Sequence, residues 1–137
     1  MTPFPYSIEL DRYVGDAERM MALRKIRHLP VTSQGEIYSV LSDRDLQLAL
    51  ADRDADAWKM RVRDICVQDP YIADTTDPLD VVLTEMAERQ IGCTVVAEND
   101  RVAGIFTTVD ACRAFANHLR VGDASARTTE GKEEEEK

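Results

Sequence analysis

The sequence repeats itself at a constant offset of 65 residues, which holds from residue 5 to residue 51 without a gap. Identical pairs under this offset include Met21 with Met86 and Asp45 with Asp110. A long fixed offset of this kind indicates a duplicated supersecondary unit, whose copies bury apolar faces against each other. The fold of one half therefore constrains the fold of the other.

Each half has the pattern of three strands and two helices. The segments PYSI and PYIA, HLPVT and CTVVA, and IYSVLS and VAGIFT are short apolar runs typical of strands. The turns SQGE and ENDR separate the last two strands of each half. The order β-α-β-β-α in both halves predicts an α/β (α+β) fold of two repeats packed with pseudo-two-fold symmetry.

An amphipathic helix is expected after the first strand of each half. In the second half it opens at Asp77 and Pro78, and its predicted buried stripe is Leu79, Val82, Leu83, Met86 and Ala87. In the first half the helix is expected near Val14 to Lys25, although Glu18 falls in its apolar stripe. A second helix is predicted after the third strand of each half.

The expected boundaries are a first repeat at residues 1–53, a linker at 54–61, a second repeat at 62–120 and a tail at 121–137. The charged run DRDAD precedes a short packed helix, suggested by four apolar residues: Trp58, Met60, Val62 and Ile65. The tail has almost no large apolar residue and ends in EEEEK, so it is predicted to be acidic and disordered.

Composition narrows the possible functions. The formal net charge of −9 argues against nucleic acid as a main partner, because phosphate backbones require a basic surface. No apolar run is long enough to span a membrane, and no secretory signal opens the chain. The three cysteines have no CxxC spacing and lie far from both histidines, so no zinc site is expected. We expect a cytoplasmic protein with reduced thiols.

The segments IRHLPV with GEIYSVLSDRDL, and IGCTVV with RVAGIFTTVD, resemble a tandem pair of CBS domains, also called a Bateman module. The resemblance covers about residues 3–120, and similar two-repeat proteins include the acetoin-utilisation type. It implies a regulatory protein that binds an adenosine-containing ligand in clefts between the repeats: AMP, ADP, ATP, NAD or S-adenosylmethionine. It also implies a homodimer that signals by rearrangement. Ser39 departs from the family pattern, which has glycine there, as Gly104 does in the second repeat.

One motif occurs in both halves at the end of the third strand, as Ser42 with Asp45 and Thr107 with Asp110. Two interpretations remain open. The spacing is close to that of a helix capping box, which explains the hydroxyl but explains the acid less well, since Glu or Gln is usual there. Alternatively, the hydroxyl and the helix N-terminus hold a phosphate, while the carboxylate accepts both hydroxyls of a ribose.

The remaining candidate residues surround this motif. Arg44 offers a guanidinium to a phosphate, whereas its counterpart is Val109, so the first cleft should be the more electropositive. The adenine slot needs apolar walls, for which four residues are candidates besides their role in the core: Ile8, Leu29, Ile72 and Ile91.

No catalytic constellation is recognisable in the sequence. There is no Ser-His-Asp or Cys-His order shared by the halves, and GEIYSVLS lacks the GK[ST] of a phosphate-binding loop. We therefore expect a protein that is not an enzyme and requires no cofactor. The alternatives are a ligand-free dimerisation or protein-interaction scaffold, and a regulatory subunit of an enzyme on another chain. A homodimer is also expected because two amphipathic helices per repeat have more apolar surface than one small sheet covers.

Overall fold

The computed structural model describes residues 2–3 and 6–130 of the chain, with side chains described for residues 6–122. Its elements in chain order are β1 (Thr2–Pro3), β2 (Ile8–Glu9), α1 (Val14–Arg24), β3 (His28–Ser33), β4 (Glu36–Ser42), α2 (Asp43–Leu50), α3 (Val62–Ile65), β5 (Ile72–Asp74), α4 (Leu79–Arg89), β6 (Cys93–Glu98), β7 (Arg101–Thr107) and α5 (Thr108–Glu130). Each repeat therefore has the expected β-α-β-β-α order.

Each repeat forms its own small sheet. The first sheet has the order β2-β3-β4, and the second has the order β1-β7-β6-β5. In both sheets the short first strand of the repeat lies parallel to the middle strand, which is antiparallel to the last strand. The mixed α+β architecture predicted from the repeat pattern is confirmed.

The two hairpins match residue for residue. His28 pairs with Ser42 in the first hairpin, and Cys93 pairs with Thr107 in the second. Each hairpin has one register shift, and the two shifts occur at equivalent positions, between Val31 and Thr32 and between Val96 and Ala97. Because register determines which side chains face the core, the duplication extends to the packing of both sheets.

The hairpin turns also match and contact each other. Gln34 and Gly35 have φ values of 53° and 85°, while Asn99 and Asp100 have φ values of 54° and 66°. Two successive positive φ values are what the tight turns favoured in hairpins require. The backbone N–H of Ile37 donates to the carbonyl oxygen of Asp100 at 2.8 Å, which joins the two sheets at their turns.

The segment before each repeat pairs with the last strand of the other repeat. Thr2 in β1 pairs with Ile105 in β7. At the equivalent position, the N–H of Val67 donates to the carbonyl oxygen of Val40 at 3.1 Å. Ser39 reinforces this contact, since its hydroxyl donates to the carbonyl oxygen of Val67 at 2.5 Å. The repeats are therefore held together by exchanged backbone pairing as well as by apolar contact.

Buried apolar side chains form a core in each repeat and a third cluster between the repeats. Leu29, Leu41 and Leu46 are almost fully buried in the first core, and Met86 and Phe106 belong to the second. The cluster between the repeats consists of Val40, Cys93, Val95 and Ile105. Side chains on the two faces of each hairpin thus serve different contacts, as the alternation of a strand requires.

The first helix of each repeat differs from the expected pattern. In α1, Glu18 is exposed, and the buried residues are Val14, Gly15, Ala17 and Met21. In α4 only Val82 and Met86 of the five predicted stripe residues are buried. The buried stripe predicted for α4 is therefore wrong at its edges. Its N-cap residue is Pro78 rather than Asp77, since the helix begins at Leu79.

The end of the chain also differs from the expectation. The short helix expected before the second repeat is present as α3, but α5 continues to Glu130. Residues 121–130, which the sequence analysis assigned to a disordered tail, thus have helical backbone in the structure. No proline interrupts this stretch, and one glycine, Gly122, costs a helix only about 1 kcal/mol. The rest of the predicted tail, residues 131–137, lies outside the described residues.

Among the helices of the described residues, none combines the length and the apolar character needed to cross a lipid bilayer.

Candidate ligand-binding cleft

A cavity of about 540 Å³ lies between the two repeats, and we call it the cleft. The first repeat contributes His28, Val40, Ser42 and Asp45. The segment leading into β5, the end of α4 and the start of β6 contribute the rest of its lining: Val67, Asp69, Pro70, Tyr71, Arg89, Gln90, Ile91, Gly92 and Cys93. The backbone hydrogen bond from Val67 to Val40 in β4 brings these two sets of residues together.

Ser42 and Asp45 form a capping box at the start of α2. The N–H of Asp45 donates to the Ser42 Oγ at 3.0 Å, and the N–H of Ser42 donates to the Asp45 Oδ2 at 3.4 Å. The capping geometry is therefore present. Within the described part of the chain, however, neither the hydroxyl hydrogen of Ser42 nor the Asp45 Oδ1 forms a hydrogen bond. Capping thus leaves one donor and one acceptor at the wall of the cleft.

The equivalent motif of the second repeat, Thr107 with Asp110, has fewer hydrogen-bonding groups left for a ligand. The Thr107 hydroxyl donates to the Asp110 Oδ2 at 3.2 Å, and the Thr107 N–H donates to the same oxygen at 2.9 Å. The other carboxylate oxygen, Oδ1, lies 3.8 Å from Nη1 of Arg113. The Asp110 Oδ2 and the hydroxyl hydrogen of Thr107 are therefore hydrogen-bonded within the motif, and the Asp110 Oδ1 faces the exposed guanidinium of Arg113.

The surroundings of the two motifs also differ. Asp110 lines a separate cavity of about 530 Å³ between α4 and α5, rather than the cleft, and Thr107 lines neither cavity. Under the 65-residue offset, a second copy of the cleft would include residues 4 and 5, which lie outside the described residues. The structure thus brings Ser42 and Asp45 into one cavity with residues of the other repeat, but it does not bring Thr107 and Asp110 there.

Arg44 lies beside the cleft rather than in it. It lines an adjoining cavity of about 230 Å³ together with Arg27 and Asp43. This smaller cavity shares His28 and Ser42 with the cleft. Two arginine residues therefore lie beside the Ser42 end of the cleft, and arginine side chains can form charge-assisted hydrogen bonds with a phosphate.

Arg89 and Tyr71 form the opposite wall. The guanidinium of Arg89 lies 5.3 Å from the centroid of the Tyr71 ring and 3.4 Å from a carboxylate oxygen of Glu85. Burial raises the pKa of the Tyr71 hydroxyl, and the negative charge of Asp77 acts in the same direction. This wall therefore presents a neutral aromatic ring held by a cation, which is a suitable surface for a flat heterocycle.

His28 and Cys93 occupy equivalent positions under the offset and both line the cleft. Burial lowers the pKa of His28, although Asp45 opposes this shift. Burial also raises the pKa of the Cys93 thiol to about 12, and the nearby charge of Asp45 acts in the same direction. Both side chains are therefore uncharged at neutral pH, so this part of the wall is neutral.

Of the four residues predicted to form apolar walls of the adenine slot, one lines the cleft and three lie in or against the apolar clusters. Ile91 lines the cleft. Ile8 and Leu29 are buried in the first core and do not line it, and Ile72 packs against the cluster between the repeats. Leu29 follows His28 in β3, so its side chain points to the helical face of the sheet while His28 faces the cleft.

Sequence reasoning missed His28 and the segment from Val67 to Tyr71. The repeated pair Pro5-Tyr6 and Pro70-Tyr71 was the available signal, because it marks the segment that enters each repeat. This segment lies in the cleft because Val67 pairs with Val40 in β4 of the first repeat. The periodicity of the repeats does not reveal that pairing.

No metal-binding arrangement occurs within the described residues, since no group of three or more His, Cys, Asp or Glu side chains is placed to hold an ion. Cys66 and Cys93 are buried free thiols, while Cys112 is exposed.

Comparison with known proteins gives the family. The CBS domain model matches the chain twice, at residues 1–52 and 62–117. No curated protein matches this sequence significantly.

Solved structures show the same fold. The structure of a protein described as the acetoin utilization protein AcuB of Vibrio cholerae is 24% identical, with a TM-score of 0.72 over 98% of this chain and 94% of that one. The CBS domain pair of protein MJ0100, in complex with 5-methylthioadenosine and S-adenosyl-L-methionine, is 23% identical, with a TM-score of 0.72 over 85% and 93%. Hypoxic Response Protein I, with two coordinated zinc ions, is 21% identical, with a TM-score of 0.73 over 83% and 94%. With its two matched segments and its duplicated fold, the chain belongs to the CBS-domain family and carries a pair of CBS domains.

Proposed function

We propose that the chain is a regulatory protein that binds an adenosine-containing ligand in the cleft. The observation that carries this proposal is the pair Ser42 and Asp45, which keeps one donor and one acceptor unused at the wall of a cavity of about 540 Å³. A cavity of this size is in the range that holds small-molecule ligands. The class of ligand is supported by the CBS pair of MJ0100, whose structure contains 5-methylthioadenosine and S-adenosyl-L-methionine.

Each part of such a ligand has a matching group. The Asp45 Oδ1 accepts a hydrogen bond from a ribose hydroxyl, and the Ser42 hydroxyl donates to a phosphate or another acceptor. The base lies against Tyr71 and Ile91 at the other end of the cleft. AMP, ADP, ATP, NAD and S-adenosylmethionine all carry these parts and are the ligands to test.

Charge at the Ser42 end sets a preference among these ligands. Arg44 and Arg27 border this end of the cleft, so added phosphate groups should strengthen binding there. The second motif offers less, because Arg113 and Thr107 already engage Asp110, and Val109 stands in place of the arginine. One high-affinity ligand per chain is therefore proposed.

Thermal shift against the five ligands, followed by titration calorimetry, tests the site. A ligand that binds the native state raises the melting temperature. Asp45→Ala should weaken binding about tenfold or more, because a hydrogen bond to a charged group contributes about 1.5–3 kcal/mol. Asp110→Ala is the matched control, since it removes the equivalent carboxylate from outside the cleft. Arg44→Ala should weaken ATP and ADP more than adenosine.

The opposite result would assign the motif to capping alone. If Asp45→Ala binds every ligand like the wild type and only melts lower, the carboxylate serves the helix and the site lies elsewhere. If no ligand in the panel shifts the wild-type melting temperature, the interaction scaffold becomes the better explanation.

The regulatory output is proposed to pass through a homodimer. Large apolar side chains remain exposed on α4 and α5, including Leu83, Phe115 and Leu119. Large apolar side chains left in water on neighbouring helices are a common feature of protein–protein interfaces. A monomer mass in sedimentation at micromolar concentration would contradict a dimer. A sedimentation change on adding the bound nucleotide would support rearrangement.

A further inference from the structure

His28 lies at the junction of two cavities. It lines the cleft, and it also lines the adjoining cavity of about 230 Å³ that contains Arg27 and Arg44. In the β3–β4 hairpin His28 is paired directly with Ser42. Side chains at opposed positions of an antiparallel pair lie on the same face, with Cβ atoms about 4.5–5.5 Å apart. A phosphate that accepts a hydrogen bond from the Ser42 hydroxyl would therefore lie within reach of the His28 ring.

The His28 ring is available for such a contact. It is half-buried, and within the described residues neither of its nitrogens forms a hydrogen bond. No fully buried side-chain nitrogen or oxygen of the described residues lacks a partner, so the unpaired nitrogens of His28 are accessible from the cavities. A neutral imidazole has one donor and one acceptor, whereas the protonated ring has two donors. Protonation would therefore turn this ring into a better partner for an anion.

Charges of both signs surround the ring. In the ligand-free protein burial is the main cause that lowers the pKa of His28, and Arg27 acts in the same direction. The carboxylates of Asp45 and Asp43 oppose this shift. The titratable and charged groups that line the two cavities with His28 are Arg27, Asp43, Arg44, Asp45, Asp69, Tyr71, Arg89 and Cys93. The acids of α2 thus do not outweigh the burial of the ring.

A bound phosphate would change this balance. A phosphate monoester carries a charge of about −1.5 to −2 at pH 7. An opposite charge within about 4–6 Å favours the charged form of a histidine. The imidazolium would then donate a charge-assisted hydrogen bond to a phosphate oxygen, which a ligand without phosphate cannot accept. Adenosine, placed by Asp45 and Tyr71 alone, would leave the ring neutral.

We propose that His28 takes up a proton from solvent when a phosphorylated adenosine ligand binds in the cleft, so that the preference for phosphorylated over unphosphorylated ligands increases as the pH falls. This inference rests on the proposed function. The gain in affinity is complete below the pKa of His28 in the ligand-free protein and is lost as the pH rises through its higher value in the complex. The equivalent residue of the second repeat, Cys93, is a thiol and gains no positive charge.

The proton can be observed directly, because the chain has only two histidines. The ring proton signals of the full-length protein are followed by NMR against pH, without ligand, with saturating AMP and with saturating adenosine. His118 is exposed on α5 outside the cleft and provides the reference signal. AMP should raise the pKa of His28, and adenosine should leave it unchanged.

Titration calorimetry measures the consequence for affinity. Between pH 8 and pH 6 the affinity for AMP should rise about fivefold more in the wild type than in His28→Asn, since a shift of one pKa unit corresponds to about tenfold in affinity. The AMP phosphate itself has a second pKa of about 6, and comparison of the two proteins at each pH removes its contribution. His118→Asn is the matched control and should follow the wild type. The NMR titration uses the wild type alone, so it does not depend on how well His28→Asn folds.

The results that would overturn the inference differ from those that would overturn the proposed function. If AMP binds but leaves the pKa of His28 unchanged, the site stands and the proton uptake does not. The same holds if His28→Asn weakens AMP equally at pH 8 and pH 6, because His28 would then act as a neutral hydrogen-bonding partner. An equal rise of the pKa with adenosine would show that the phosphate is not the cause. If neither AMP nor any other ligand of the panel binds at either pH, the proposed function fails and this inference fails with it.

Discussion

The two repeats have the same backbone plan but differ in what covers their helices. Val14 at the start of α1 is fully buried under the segment 57–66, while its counterpart Leu79 at the start of α4 is about half exposed. Within the described residues, the segment 57–66 lies against the start of α1, and no segment lies against the start of α4 in the same way. A repeated sequence therefore predicts a repeated scaffold, but it does not predict a repeated environment.

The motif of a hydroxyl and a carboxylate, Ser42 with Asp45 and Thr107 with Asp110, is also repeated without a repeated environment. Ser42 and Asp45 have a donor and an acceptor left for a ligand in the cleft, whereas the hydroxyl of Thr107 already donates to Asp110. The motif is equivalent in sequence and in backbone position. Its hydrogen bonding differs because only the second hydroxyl donates to its aspartate, and Arg113 adds a positive charge near that aspartate alone.

The largest expected effect comes from truncating the two equivalent residues at the helix starts. Val14→Ala should lower the free energy of unfolding by about 2–3 kcal/mol, since two buried methyl groups are lost and a cavity remains. Leu79→Ala should cost less than about 1 kcal/mol, because much of this side chain is in water. Urea unfolding of both variants measures the difference.

Equal losses at the two positions would break this comparison. A large loss for Leu79→Ala that also depends on protein concentration would show that a partner surface covers the start of α4 in solution. The same loss independent of concentration would show that residues outside the described ranges cover it.

Gly15 provides a smaller and more local test. A Cβ atom built on Gly15 would lie 2.5 Å from the Trp58 ring, so Gly15→Ala should force the ring to move. We expect a loss of about 1–2 kcal/mol, at the lower end for overpacking because Trp58 is 48% exposed and can shift. In a Trp58→Ala background the same change should cost almost nothing, which a double-mutant cycle by thermal unfolding measures.

A cost for Gly15→Ala that is unchanged without Trp58 would mean that the backbone, rather than the linker, requires glycine. Asp80 stands at the equivalent position of the second repeat, where a side chain is tolerated because no tryptophan packs there. The requirement for glycine is therefore expected to follow the linker and not the repeat.

The hairpins and their turns could be predicted from the sequence because they depend on local patterning that occurs twice. The alternation of apolar residues, the turn residues near Gly35 and the Ser42 cap were all visible in this way. The exposure of Leu79 and the length of α5 were not, because they depend on what lies against a helix rather than on its own period. The placement of Leu29 in the core instead of the cleft required knowing which face of β3 meets the other repeat.

The smallest expected effect concerns the acids at the ends of β2 and β5. The Glu9 carboxylate accepts hydrogen bonds from the Thr32 hydroxyl at 2.6 Å and from the N–H groups of Gln34 and Gly35 at 2.8 and 3.1 Å. These bonds, that of Thr32 foremost, hold the pKa of Glu9 below its usual value. Its counterpart, Asp74, instead accepts from Thr76, two residues along the chain.

Because the pKa of Glu9 is lower in the folded state, its contribution is complete above the unfolded pKa and is lost as pH falls through the folded value. Glu9→Gln should therefore reduce the free energy of unfolding at pH 7 by less than about 1 kcal/mol, with the difference from wild type shrinking towards pH 3. Asp74→Asn should alter this pH dependence less, since a bond between residues two apart persists partly in the unfolded chain. Urea unfolding at pH 7, 5 and 3 compares the two. The contrary result is that the two variants change the pH dependence of unfolding equally. In that case the hydrogen bonds from the β3–β4 turn to Glu9 would stabilise the fold no more than the local bonds of Asp74 do.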